Sequence, residues 1–327
     1  MKMELLIQFV LLVLGFTMLV VGADKFVDGA AGIADKFGIP QMVIGLTIVA
    51  MGTSAPEAAV SVTAALKGNA DITIGNVVGS NILNVLVILG LCALFTSVKI
   101  AKSTLKIELP IMLVITVMMV VQGCIGGYVT RIDGVIMWIA FIGYLTYLFV
   151  VAKNNPQSVE EDEEKVQPVW KLLLFAVAGL VLIVWGSDVT VDAATKLATA
   201  AGLSTHFIGL TIVALGTSLP ELFTSVSAAR KGNADIAIGN IVGSNIFNIL
   251  FVVGTSALIT PVIFESKFIV DSIVAILAGV LLWVCTFKKK LLVHPHGVIM
   301  LVCYAVYFVY LLKYAETVAV YIEKLVK

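Results

Sequence analysis

Shifted by 164 residues, this chain overlays itself. From Ile44 to Gly90 against Ile208 to Gly254, 33 of 47 positions are identical, far too many for two unrelated apolar segments. Upstream the match is weaker but continues: Gly22, Asp24, Asp28 and Gly38 fall on Gly186, Asp188, Asp192 and Gly202. The offset is half of the 327 residues, so the chain consists of two copies of one unit. Only 13% of its residues are charged and mean hydropathy is +1.08. A soluble domain carries about a quarter charged residues, so this is an integral membrane protein.

Each half holds five apolar segments long enough to cross a bilayer. In the first they run Leu5–Ala23, Ile39–Leu66, Ile72–Phe95, Ile107–Gly123 and Ile132–Val151. In the second they run Trp170–Gly186, His206–Ala229, Ile236–Ile259, Phe268–Phe287 and Gly297–Tyr314. The expectation is an all-α membrane protein with ten transmembrane helices. Five spans per copy is an odd number, so the two copies insert in opposite orientation, giving two inverted five-helix repeats. The repeats are expected over 1–152 and 169–327, joined by an acidic linker over 153–168. The run Leu5–Val21 is too long for a signal-peptide core and lacks a small-x-small cleavage site, so it reads as a retained helix.

Lysine and arginine set the orientation. One face collects Lys99, Lys102, Lys106, Arg230, Lys231, Lys288, Lys289 and Lys290; the other has chiefly Lys67, Arg131 and Lys267. The richer face is expected to be cytoplasmic, with both termini outside and the linker "NNPQSVEEDEEKVQ" inside, read as a solvated connector with a calcium sensor as the other option. The net charge is zero, which gives no reason to expect a nucleic-acid partner. Lipid is the expected surrounding, and a monomer is the expected unit. Cys92, Cys124, Cys285 and Cys303 lie in apolar segments without metal-ligand spacing and read as small buried hydrophobes.

Two stretches contradict plain membrane helix. "LTIVAMGTSAPEAAVSV" begins at Leu46 and its near-copy "LTIVALGTSLPELFTSV" at Leu210. Pro56 cannot donate to the carbonyl of Gly52 and clashes with it, so the helix is expected to open or kink between Ala50 and Pro56. Irregular backbone at membrane depth is tolerated only against protein or a watery cavity. There Thr53 and Ser54 supply hydroxyls and Glu57 a carboxylate. The following segment, "GNVVGSNILNVLVILG", places Asn76, Ser80 and Asn84 on one stripe at i, i+4 and i+8, with Gly75 and Gly79 allowing close helix approach. The second copy repeats the set: Ala214, Gly216, Thr217, Ser218, Pro220, Glu221, Asn240, Gly243, Ser244, Asn245 and Asn248. Inversion is expected to bring the two sets face to face near the bilayer midplane.

A lone Ser or Asn in a membrane helix is usually packing glue. The glutamates are different, because an ionised carboxylate at membrane depth costs at least a few kcal/mol and is normally functional. No lysine or arginine lies in these segments to pair with Glu57 or Glu221. Two carboxylates sharing a site would repel, and a divalent cation removes that conflict. Donors that are all oxygen suit calcium and sodium, not zinc or copper.

The paired "GTSAPE…GNVVGSNILN" and "GTSLPE…GNIVGSNIFN" resemble the two alpha-repeats of the sodium/calcium exchanger family, within the cation/calcium antiporter superfamily, and the chain is similar to its compact prokaryotic members over essentially its whole length. The resemblance implies that Glu57 and Glu221 ligate both calcium and sodium. It maps sodium ligands onto the carbonyls of Ala50 and Ala214, the region of Thr53, Ser54, Thr217 and Ser218, and Ser80 and Ser244. One turn later stand Asn84 and Asn248. The archaeal pattern has aspartate at the second of these, so here only two formal negative charges remain, enough to neutralise one calcium. The resemblance further implies a location in the cell inner (plasma) membrane, no cofactor, and helices one and six sliding together to alternate access.

Other readings stay in view. Calcium/proton or potassium-dependent exchange fits the same ligands. A passive cation channel fits inverted halves less well. No GxxxxGK[ST] supports an ATP-driven pump, and no HExxH supports a zinc protease. "GTSAP" offers a serine, but no histidine base stands at a repeated position. Asp24 and Asp28, like Asp188 and Asp192, read as solvated charge at span ends, with an access path for cations as the other option. His206 has Met42 as its repeat partner, and His294 with His296 lack a third ligand, so neither marks a metal site.

Overall fold

The computed structural model describes residues 2–70, 72–155, 167–201 and 214–313. Most of the expected linker, His206, the start of the seventh expected span and Tyr314 lie outside the described residues. Within them the chain is helical apart from turns and four two-residue strands. The helices are α1 (Lys2–Phe37), α2 (Gln41–Thr53), α3 (Ala55–Leu66), α4 (Ile72–Phe95), α5 (Thr104–Cys124), α6 (Arg131–Asn154), α7 (Val169–Ala200), α8 (Leu219–Arg230), α9 (Ala234–Ile259), α10 (Lys267–Phe287) and α11 (His294–Lys313). A helical turn, Ala214–Gly216, precedes α8. Among the described residues eight helices are long and apolar enough to cross a membrane, and the bent pair α2–α3 makes up to nine. The protein is a multi-pass helical membrane protein.

α1 runs on well past its apolar stretch. Its 36 residues span roughly 54 Å, against a hydrocarbon core of about 30 Å, so part of it leaves the apolar layer. Nothing in the amphipathic continuation breaks a helix until Gly38, which takes φ 61°. There the Ile39 N–H bonds the Ala34 carbonyl at 2.8 Å and the Gly38 N–H bonds that of Asp35 at 3.3 Å, closing the helix over a left-handed glycine.

The chain forms two compact units, Met1–Pro56 with Val150–Asn240, and Glu57–Phe149 with Ile241–Lys327. In the first unit α1 and α7 pack through glycines. A Cβ on Gly22 would stand 2.9 Å from the Gly179 carbonyl oxygen, and one on Gly179 would stand 2.5 Å from the Phe26 nitrogen. Gly15 faces Gly186 and Gly29 faces Ala176, so the register rises along one helix as it falls along the other, and the pair is antiparallel. Absent side chains let the backbones meet, which is how helices attract in lipid, where the hydrophobic effect is missing.

In the second unit the contacts are reciprocal between the two stretches of chain. Gly90 of α4 faces Gly297 of α11, and Gly254 of α9 faces Gly134 of α6. Strand β1 (Val98–Lys99) pairs antiparallel with β4 (Leu291–Leu292), and β2 (Tyr128–Val129) with β3 (Val262–Ile263). These strands are an addition to the all-α expectation: each ties a loop that leaves one membrane helix to a loop that enters another. α4 and α9 each contain a π-helical segment, Asn84–Ile88 and Asn248–Val253, opening on the repeat-related asparagines. Such widened turns recur at functional positions.

The cysteines correct their expectation in part. All four are free, but only Cys92 is buried; Cys124 and Cys303 are exposed and Cys285 is half-buried. On a membrane protein an apolar outer face is as favourable a place for a small thiol as the interior is.

Candidate functional site

The kink expected between Ala50 and Pro56 centres on Ser54, whose φ −83° and ψ 8° leave the helical region. α2 and α3 diverge there by 50°. Pro56 is the second residue of α3, where its missing N–H is harmless to its own helix. The second copy has the same break: Ser218, with φ −91° and ψ 5°, precedes α8, and Pro220 is that helix's second residue. Each glutamate therefore sits in the first turn of a helix. The positive end of the helix dipole favours a negative charge there.

In the first unit, Glu221 is fully buried. Its Oε1 accepts a 2.7 Å hydrogen bond from the Ser54 hydroxyl, while its Oε2 is buried without a hydrogen-bond partner. The Thr53 hydroxyl donates to Asn240 Oδ1 at 3.0 Å and lies 3.3 Å from the Ala50 carbonyl oxygen. That carbonyl also accepts from the Ser54 N–H at 3.0 Å. Ala50, Thr53, Ser54 and Glu221 thus come together. Ser218 is buried and Thr217 half-buried. Ala214 opens the turn before them. The Gly216 carbonyl is held by the Ser187 hydroxyl of α7 at 2.7 Å.

In the second unit, Glu57 is fully buried, and Ser80 donates to its Oε1 at 3.4 Å. Ser244, Asn84 and Asn248 are also fully buried. Four asparagines join α4 to α9. The Asn81 amide nitrogen bonds the Asn245 carbonyl oxygen, and Asn245 returns the bond to Asn81, both at 3.2 Å. Asn84 Nδ2 donates to Asn245 Oδ1 at 3.0 Å and Asn248 Nδ2 to Asn81 Oδ1 at 3.1 Å. The amide nitrogens of Asn84 and Asn248 are thereby occupied, and their buried Oδ1 atoms have no hydrogen-bond partner.

One further bridge occurs in both units. Asn76 Nδ2 donates to Ser61 Oγ at 2.9 Å and to the Glu57 carbonyl at 3.2 Å. Asn240 Nδ2 donates to Ser225 Oγ at 2.9 Å and to the Glu221 carbonyl at 3.5 Å. Ser61, Ser225 and the linking roles of Asn81 and Asn245 escaped the sequence reading, although all recur at the 164-residue offset. Away from these helices, His296 Nδ1 faces the Val293 N–H at 3.5 Å at the start of α11. Among the described residues no three His, Cys, Asp or Glu side chains converge.

A buried carboxylate oxygen and two buried amide oxygens without donors are expensive in an apolar interior unless something electropositive meets them. Carboxylate, hydroxyl and amide oxygens are hard ligands. Broken helices in a membrane protein that bury carboxylates among such oxygens are features of transporters of small cations. The chain belongs to the sodium/calcium exchanger protein family, which matches residues 7–150 and 171–313, and so to the class of cation/calcium antiporters. It is 38% identical over 275 residues to the putative antiporter CaxA of Alkalimonas amylolytica, covering 80% of this chain and 84% of that protein. It is 37% identical over 300 residues to the inner membrane protein YrbG of Escherichia coli (strain K12), covering 85% and 90%. A solved structure of the sodium-calcium exchanger NCX_Mj, soaked with zero Na+ and Ca2+, superposes with a TM-score of 0.82 at 32% identity, covering 94% of this chain and 99% of that one.

Proposed function

We propose that this protein exchanges calcium for sodium by alternating access, with Glu57 and Glu221 as the charged ligands of the transported ions. The observation that carries the reading is Glu221: a fully buried carboxylate whose Oε1 is held by Ser54 and whose Oε2 has no protein donor. Ala50, Ala214, Thr53, Thr217, Ser54, Ser218, Ser80 and Ser244 complete the sodium positions, and Asn84 and Asn248 offer neutral oxygens to calcium. Glu57 and Glu221 together balance one divalent ion. The protein carries no resident cofactor; calcium and sodium are its cargo.

The reading includes ten spans in two inverted repeats, 1–152 and 169–327, joined by a cytoplasmic linker over 153–168. The reciprocal glycine and strand contacts of the second unit support it. Both termini then lie outside the inner membrane, the location named for the relative YrbG.

The test is calcium uptake into proteoliposomes loaded with sodium. The expected result is uptake against the calcium gradient that stops when the sodium gradient is collapsed and persists without potassium. Equal, gradient-independent uptake points to a channel. Uptake driven by a proton gradient, or only with potassium, points to the other exchange modes.

A further inference from the structure

Asp24 and Asp28 of α1 do not stand as free solvated charge. Lys231, the residue that caps α8, reaches across to them: its Nζ donates to Asp28 Oδ1 at 2.6 Å and to the Asp24 carbonyl at 2.7 Å, and lies 3.7 Å from Asp24 Oδ1. Ser227, one turn earlier on α8, donates to Asp24 Oδ1 at 2.5 Å. Ser227 of α8 and its capping residue Lys231 therefore clasp two residues of α1 one turn apart. The clasp lies at the surface of the unit, not in its core, since the side chains are 28% exposed for Lys231, 51% for Asp24 and 45% for Asp28.

The same four residues recur at the 164-residue offset: Asp188, Asp192, Thr63 and Lys67 stand for Asp24, Asp28, Ser227 and Lys231. Their circumstances differ. Asp188, Asp192, Thr63 and Lys67 are all exposed, and Asp192 pairs at 2.6 Å with Lys196 in its own helix. Lys196 has no equivalent in the first copy, where Gly32 stands. One set is clasped and the other has its aspartate engaged elsewhere, although the sequence supplies both.

Two inverted copies make the states open to either face near-mirror images, each copy taking the other's conformation as access alternates. We propose that Lys231, Ser227, Asp24 and Asp28 form a latch closing one end of the transporter, and that Lys67, Thr63, Asp188 and Asp192 form the matching latch of the opposite access state. This rests on the alternating-access reading above. Partly exposed ion pairs suit the task. They are weak enough to break in each cycle, and a ligand or latch shifts a two-state equilibrium only by its difference between the states. With the lysine-rich face cytoplasmic, the latch made here closes the cytoplasmic end, because Lys231 lies on that face and Lys67 on the other.

The experiment measures apparent calcium affinity separately at each face of sided proteoliposomes. Lys231→Gln is expected to raise affinity at the Lys231 face and lower it at the opposite face, each by about two- to five-fold, the scale of one or two exposed ion pairs. Lys67→Gln is expected to do the reverse. Asp28→Asn should copy Lys231→Gln, which covers a variant that fails to insert, and the swap Lys231→Asp with Asp28→Lys should restore the parent values. Shifts in the same direction for both lysines, or none, overturn the proposal. A parent without sodium-driven calcium uptake sinks the exchanger reading instead. The latch is then judged by hydrogen exchange, where Lys231→Gln should loosen the amides of 24–28 and protect those of 188–192; no reciprocal change overturns it.

Discussion

The Ser54 hydroxyl donates a 2.7 Å hydrogen bond to Glu221 Oε1, so the first GTS motif completes the surroundings of the second motif's carboxylate. The two are 167 residues apart in the chain. A hydrogen bond to a charged group is worth about 1.5–3 kcal/mol, or roughly ten-fold or more in affinity. Ser54→Ala should weaken apparent calcium affinity by about that factor while the protein still inserts, and Ser54→Thr should keep most of it. Flux titrations on purified variants check this; an alanine variant with parental affinity would remove Ser54 from the site.

The breaks at Ser54 and Ser218 depend on prolines that cannot donate to the preceding turn. Pro56→Ala restores an N–H that can bond the Gly52 carbonyl and lets α2 run straight into α3. Pro220→Ala does the same before α8. Both variants should lose apparent sodium affinity several-fold more than calcium affinity, because sodium uses more of the carbonyl and hydroxyl positions. Equal losses for both ions, measured by competition in flux, would argue against those positions as sodium ligands.

The seam between α1 and α7 tolerates no side chain at Gly179, since a Cβ would lie 2.5 Å from the Phe26 nitrogen and 2.7 Å from the Gly22 carbonyl oxygen. Both neighbours are backbone, which cannot turn aside. Gly179→Ala should lower thermal stability in detergent by about 1–3 kcal/mol, the usual cost of overpacking. Gly143→Ala, where a Cβ would meet nothing within 4 Å, is the control and should be neutral. Matching melting curves for the two variants would contradict the packing described.

Much of this was legible in the sequence, for physical reasons. Ile72–Phe95 and Phe268–Phe287 match the observed membrane spans because an apolar run of that length has one stable option in a bilayer. The kink was legible because Pro56 forbids one hydrogen bond wherever it sits. The four-asparagine junction was not, because hydropathy does not say which amide meets which. The partner of Asp24 and Asp28 was hidden too: Lys231 lies 203 residues from Asp28, and only the fold brings them together. Cys124 and Cys303 were misjudged as buried because lipid and protein interior look alike to an apolar segment. The two-residue strands carry too few residues to leave any pattern.

Asn248 spends its amide nitrogen on Asn81 Oδ1, at 3.1 Å. An aspartate there cannot donate once ionised, so Asn81 loses its donor and the site gains a third titrating carboxylate. Asn248→Asp should lower stability by about 1–3 kcal/mol and add a step to the pH profile of calcium flux that the parent lacks. Profiles recorded at a fixed sodium gradient check it. If they superimpose, Asn248 does not share a site with the transported ions.

The account turns on two carboxylates, and calcium flux in their isosteric variants tests it most directly. Glu57→Gln and Glu221→Gln keep the shape of each side chain and remove one negative charge, leaving one carboxylate to balance a divalent ion. In proteoliposomes with an outward sodium gradient and radioactive calcium outside, each variant is predicted to show no sodium-driven uptake, with the protein inserted at parental levels. Uptake near the parental rate in either variant contradicts the assignment of that glutamate as an ion ligand.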